Sequence, residues 1–133
     1  MTKGALHFAL PGIVAVSLGI AGCAAGPSGP ETPAISAEEM RELYSEPRDI
    51  AWRATGGASG KAFSEPDGSL IGEFPSGREQ GTWRIDGNEI CTTYESLRGG
   101  RESCFTYHAV GDRVYEQYSG NRLVSVLTFS DRE

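Results

Sequence analysis

From Gly56 to Asn121 the chain is cut at close intervals by turn residues, and this spacing limits its possible folds more than any other feature. The breaks are Gly56-Gly57, Pro66-Asp67-Gly68, Pro75-Ser76-Gly77, Asp86-Gly87-Asn88, Gly99-Gly100, Gly111-Asp112 and Ser119-Gly120-Asn121. Each suits a chain reversal, because glycine reaches positive φ and aspartate or asparagine hydrogen-bonds its own backbone. Between the breaks apolar and polar residues alternate, which predicts about eight strands, near 49–55, 60–64, 69–74, 81–85, 89–95, 102–109, 113–118 and 122–129. Connections this short join only antiparallel neighbours. The fold class is therefore mainly β, an antiparallel meander. Its two edges would otherwise face water, so it closes into a small up-and-down barrel or curls as a twisted open sheet.

Before the strands, Ser36-Ala37-Glu38-Glu39 fits a capping box and predicts one short helix, near 37–44, stopped before Pro47. Its Met40, Leu43 and Tyr44 form a narrow apolar stripe. The expected core is Ile50, Trp52, Phe63, Leu70, Phe74, Trp83, Ile85, Ile90, Phe105, Tyr107, Val114, Leu123, Leu127 and Phe129. In the hairpin around Gly99, pairing Cys91 with Cys104 sets Ile90 opposite Phe105 and Thr92 opposite Ser103. Ile90, Tyr94, Phe105 and Tyr107 then share the apolar face, while Cys91, Thr93, Glu102, Cys104 and Thr106 share the other. That puts the disulfide off the core, beneath the Met40 and Leu43 stripe.

The N-terminus carries an address. A short start with Lys3, an apolar stretch from Phe8 to Ile20 and small residues before a cut have the order of a secretory signal. Pro11 and Gly12 interrupt the stretch, which makes it a poor spanning helix. Ile20-Ala21-Gly22-Cys23 resembles the lipobox of bacterial lipoproteins, which implies cleavage before Cys23 and acylation of that residue. Several acyl chains hold a protein to a bilayer where one does so only marginally. An ordinary signal peptide before a chance cysteine and an uncleaved membrane helix are the alternatives. Ala24, in place of aspartate, resembles the sorting pattern for the outer membrane, with the domain facing the periplasm. The division expected is signal peptide 1–22, lipidated cysteine and flexible tether 23–35, and a single β-rich domain 36–133.

Cleavage would leave 111 residues in which eleven cations face 18 acids, a formal charge of −7. Nucleic acid and anionic headgroups are therefore not expected partners. With Cys23 lipidated, the oxidising envelope predicts a disulfide between Cys91 and Cys104, worth roughly 3 kcal/mol on the chain-entropy account. A metal site would have only His108 to add beyond carboxylates, so neither metal nor cofactor is expected.

Taken together, Glu42-Leu43-Tyr44, Trp52, Phe63 with Pro66-Asp67-Gly68, Gly81-Thr82-Trp83-Arg84-Ile85, Ile90-Cys91 and Ser103-Cys104-Phe105 resemble the domain-of-unknown-function 995 family of small exported proteobacterial proteins. The resemblance spans most of the folded region and is strongest from Gly81 to Phe105. It implies an envelope protein and carries no activity or site residue with it.

Catalytic signals are thin. His108 is the only histidine after processing, placed near a strand end, where a surface or turn role is the plain reading. No Gly-x-Ser-x-Gly elbow and no phosphate-cradling glycine loop is present. Trp52, Trp83, Tyr94, Tyr107, Tyr115 and Tyr118 could line a cavity, although strands this short favour a filled interior. Tyr115 and Tyr118 fall on opposite faces of their strand, so at least one should be exposed and available for a protein contact. The leading expectation is a non-catalytic interaction module, an accessory subunit or inhibitor of another envelope protein. A small-molecule carrier with a lipocalin-like barrel is the alternative, and a hydrolase dependent on His108 comes third.

Overall fold

The computed structural model describes residues 29–132, which hold one short helix followed by eight antiparallel strands. Helix α1 is Ala37–Leu43. The strands are β1 (Arg48–Ala54), β2 (Ser59–Ser64), β3 (Ser69–Phe74), β4 (Gly77–Asp86), β5 (Glu89–Tyr94), β6 (Ser103–Gly111), β7 (Val114–Ser119) and β8 (Arg122–Asp131). Each strand pairs with the next. β1 also pairs with β8, from Arg48↔Asp131 to Ala54↔Ser125, and this closes the sheet into a barrel. Closure gives both edge strands a hydrogen-bonding partner, which an open curled sheet would not.

The breaks fall where turn chemistry placed them, and the hairpin register of Ile90↔Phe105, Cys91↔Cys104 and Thr92↔Ser103 is as expected. β4 departs most from its expected range. Phe74 pairs with Gly77, leaving only Pro75 and Ser76 to turn the chain, and Gly77 takes φ 136°, open to glycine alone. β4 therefore begins at Gly77 rather than near residue 81, and Arg78, Glu79 and Gln80 continue the ladder. Between β5 and β6, Leu97–Gly100 makes a tight, kinked turn in which Arg98 and Gly99 take left-handed dihedrals.

Successive hairpins alternate between the barrel's two ends. Connections β2–β3, β4–β5 and β6–β7 share one end with α1, and the remaining four share the other. The helix begins as its cap predicts, with Ser36 Oγ accepting from the Glu39 N–H at 3.1 Å. Met40, Leu43 and Tyr44 are buried and join Ile90, Tyr107 and Phe129 in one interior cluster. The helix thus seals its end of the barrel and does not lie over the disulfide, which stands outside that cluster. Arg48 fixes the plug. Its Nε donates to the Leu43 carbonyl at 2.9 Å, and its guanidinium pairs with Asp131 at the end of β8. One buried cation therefore joins the helix C-terminus, the start of β1 and the closing strand.

Of the expected core, Ile50, Leu70, Ile90, Phe105, Tyr107, Leu127 and Phe129 are buried, while Trp52, Phe74, Trp83 and Ile85 pack partly buried against them. Phe63 does not belong. Ala62 and Ser64 take the inward positions of β2, so alternation turns Phe63 outward, under the guanidinium of Arg132. Val114 and Leu123 also stand outside the cluster. A bulge between Gln117 and Tyr118 shifts the β7–β8 register, and Val124 packs on the core instead.

The chain engages the barrel wall before the helix begins. Beyond Phe105, β6 has no β5 partner, and the stretch before α1 takes that edge. Ala34 bridges His108, and the Ile35 N–H donates to the Tyr107 carbonyl at 2.8 Å. Ile35 itself is buried. Thr32 to Ile35, read from sequence as the end of a flexible tether, thus lie against the barrel wall. The expected signal peptide, Cys23 and the first tether residues fall outside the described residues.

Candidate functional site

The inner face of the barrel is set by alternation, and its small residues decide how full it is. Ala54, Ala62, Gly60, Gly72 and Ser125 occupy inward positions between larger neighbours. At Gly72 an added Cβ would lie 2.5 Å from Phe74 Cε2 and 2.9 Å from Tyr94 Cε1. At Gly60 it would meet Trp52 Cζ2 at 2.5 Å. The aromatic rings therefore lie against bare backbone, and the space they vacate becomes a cavity of about 440 Å³. This lies within the usual range for small-molecule sites. The filled interior expected from short strands is thus corrected: strand length limits depth, but glycine and alanine on the inner face widen the lumen.

Aromatic residues form much of the wall. Phe74 packs edge-on to Tyr94 with ring centroids 5.1 Å apart, and Trp52 lies 5.6 Å from Phe74. Burial pushes the Tyr94 phenol up to about 12. The floor is made by Tyr44, at the end of α1, and Tyr107 on β6, whose hydroxyls share a buried hydrogen bond of 2.6 Å. Burial raises both phenols well above their ordinary value, so they stay protonated. Near the hairpin end the cavity is bounded by Ala58, Pro75, Ser76, Leu97 and Arg98. Its remaining polar lining comes from Thr92 and from Gln117, whose Oε1 accepts from Ser125 Oγ at 2.5 Å.

The connection carrying Arg98 is held from within the sheet. Glu79 accepts from the backbone N–H groups of Ser96 at 2.7 Å and Leu97 at 3.0 Å. These amides, Ser96's first, keep the Glu79 carboxyl below its usual range. A second depression, of about 490 Å³, lies outside the barrel near Phe63, Arg78 and Arg132. Arg132 is already committed there to Asp49 and Glu65, so the groove offers a compensated, mixed-charge surface.

The two tyrosines expected to make surface contacts do not present themselves that way. Tyr115 turns into the barrel, 6.0 Å from Tyr107 and 5.6 Å edge-on from Phe129. Tyr118 does face outward from the lumen, but it is buried, packed edge-on at 5.0 Å against His108. His108 is likewise not a surface residue. The strip 32–35 encloses it, and its Nδ1 lies 2.6 Å from the Thr32 carbonyl and its Nε2 2.9 Å from Thr106 Oγ1. Alternation gave Tyr115 and Tyr118 opposite faces, as found, but it could not reveal that a distant segment encloses His108 or that Tyr118 packs on its ring.

Cys91 and Cys104 are joined by a disulfide on the outer face, so neither sulfur is free to bind a metal. Arg84, opposite Cys91, reaches across to Glu102 with two hydrogen bonds of 2.8 and 2.6 Å. Of the aromatics named from sequence, Trp52, Tyr94 and Tyr107 line the cavity, whereas Trp83 packs against Tyr44 beneath its floor. Arg98, Gln117 and Ser125 were not singled out. Thr92 and Ser125 follow from alternation, but Arg98 sits in a glycine-flanked turn that reads as ordinary solvated surface. Among known proteins, no family model, no curated sequence and no solved structure matches this chain.

Proposed function

We propose that this protein is a non-catalytic small-molecule carrier of the cell envelope, held to the membrane through lipid on Cys23 and taking its ligand into the barrel lumen. The observation that carries the reading is the cavity of about 440 Å³, lined by Trp52, Phe74, Tyr94 and Phe105. Apolar sites with a few polar groups are the usual form of small-molecule recognition. The interaction module leaned on a filled core and an exposed aromatic, and the cavity and the buried Tyr118 favour the carrier instead. A His108 hydrolase gains no support from a ring whose two nitrogens are both engaged.

The test is native mass spectrometry of the full-length protein purified gently from its own envelope. The carrier reading expects a stoichiometric small-molecule adduct that Ala62→Leu, which fills the lumen, removes. A stoichiometric protein partner with an empty cavity would return the interaction module to first place. The same spectrum reports acylation of Cys23, and an unmodified residue would sink the lipid anchor.

A further inference from the structure

The lining of the cavity contains one charged side chain, Arg98. Its Nη2 donates to Thr92 Oγ1 at 3.2 Å, and its guanidinium carbon stands 5.6 Å from the centroid of the Phe105 ring. Its Nε is buried with no hydrogen-bond partner. Among the described residues no carboxylate forms an ion pair with this group. Glu79 serves the same connection, but its oxygen is taken by the Ser96 and Leu97 amides. A full positive charge therefore faces aromatic rings with part of its donor set unused, an arrangement that costs free energy unless something anionic completes it.

The backbone adds a second, independent observation. Arg98 has φ 57° and ψ 28°, in the left-handed region, where a Cβ is strained. Gly99 and Gly100, its neighbours, occupy similar φ values of 68° and 75° at no such cost. Local turn chemistry would be served better by glycine, yet this position carries a long cation and turns it inward. Strain combined with a half-buried charge whose Nε lacks a partner is a pattern found at ligand clamps. Partial burial also lowers the Arg98 guanidinium from its ordinary value. The chain's overall charge is −6, so this cation is a local exception and not part of a basic field.

We infer that the cavity takes a small organic anion: one carboxylate, sulfonate or phosphate monoester head bound by Arg98, with a ring or short chain as its apolar body among Trp52, Phe74 and Phe105. This specification rests on the carrier reading. Charge-assisted hydrogen bonds to the head would satisfy Nε and fix the ligand's orientation, and burial of the body would supply the remaining affinity.

Two fluorescent probes separate the charge from the cavity. Anilinonaphthalene sulfonate carries an anionic head, and N-phenylnaphthylamine is its uncharged parent. Titrated into the folded full-length protein, the sulfonate should bind at least about tenfold more tightly than the parent, as expected for charge-assisted contacts. Arg98→Gln should abolish that preference, and continued binding of the uncharged probe shows that the variant's cavity is intact. Arg98→Lys should keep part of the preference. Equal affinity for the two probes in the native protein, or an undiminished preference in Arg98→Gln, would overturn the inference while leaving the carrier reading standing. Failure of both probes to bind would remove the carrier reading and this inference with it.

Discussion

The hydroxyl pair on the cavity floor offers a sharp test, because it can be removed without disturbing the rings around it. Tyr44 and Tyr107 are only 3% and 2% exposed, and their oxygens are 2.6 Å apart. Tyr44→Phe keeps the packing against Trp83 at 5.0 Å and Phe129 at 5.8 Å, but it strands the Tyr107 hydroxyl without its partner. A buried hydroxyl left alone costs about 1–3 kcal/mol, so Tyr44→Phe and Tyr107→Phe should each destabilise by about 2 kcal/mol. The double variant strands nothing, and replacing both partners by apolar groups of the same shape is nearly neutral, so it should cost less than about 1 kcal/mol. The cycle should therefore show a coupling of about 3 kcal/mol in magnitude, far outside the few tenths expected for independent sites. Urea denaturation followed by tryptophan fluorescence suits the measurement, since Trp83 packs on Tyr44. Each single variant should lower the melting temperature by about 9 °C for a domain of this size. Additive single effects would refute the reasoning: the floor would then be wetted from the lumen, with water replacing the lost partner.

Three further outcomes follow from the same structure. Replacing Cys91 and Cys104 together by alanine opens a loop with a sequence separation of 13; stability should fall by about 3 kcal/mol, and an unchanged denaturation midpoint would show that the cross-link constrains little. Tyr44, Tyr94 and Tyr107 keep their protons in the folded state at pH values where an unfolded tyrosine, with a pKa near 10, loses its own. Their stabilising contribution is complete below about pH 10 and is lost as pH rises from there toward about 12 and beyond, at about 1.4 kcal/mol per pH unit for each phenol. Denaturation midpoints measured through that window should drop steeply, and a flat profile would mean that the phenols are not sequestered. Finally, Gly72→Val drives a side chain into the Phe74 and Tyr94 rings; it should destabilise the barrel by about 1–3 kcal/mol and weaken uncharged-probe binding, and retained binding at full affinity would show that the rings do not need the glycine.

Much of the fold could be read before any tertiary contact was known. The turn residues placed all seven hairpins, the Ser36 cap placed the helix, and the two cysteines set the β5–β6 register. These features depend on a few neighbouring residues: glycine's access to positive φ, the period of two, and a hydroxyl that meets the first free amides of a helix. The inner-face aromatics Trp52, Tyr94 and Tyr107 were legible for the same reason. Phe63 was not, because size and hydrophobicity suggested the core while the alternation of β2 turned it outward.

The sequence by itself determined which segments become strands, where they reverse and which side chains share a face. Only the tertiary structure decided that Ile50 pairs with Phe129 to close the barrel, that residues 32–35 cover His108, and that the lumen stays open. Closure and cover join residues scores of positions apart, and their free energy comes from edges satisfied and surface buried after folding. The cavity is likewise a property of the circumference, the difference between the space eight strands enclose and the volume their inward side chains fill. Arg98 belongs to the same class: its neighbours in sequence describe a turn, and the direction of its guanidinium is decided by Thr92 and Phe105 across the hairpin.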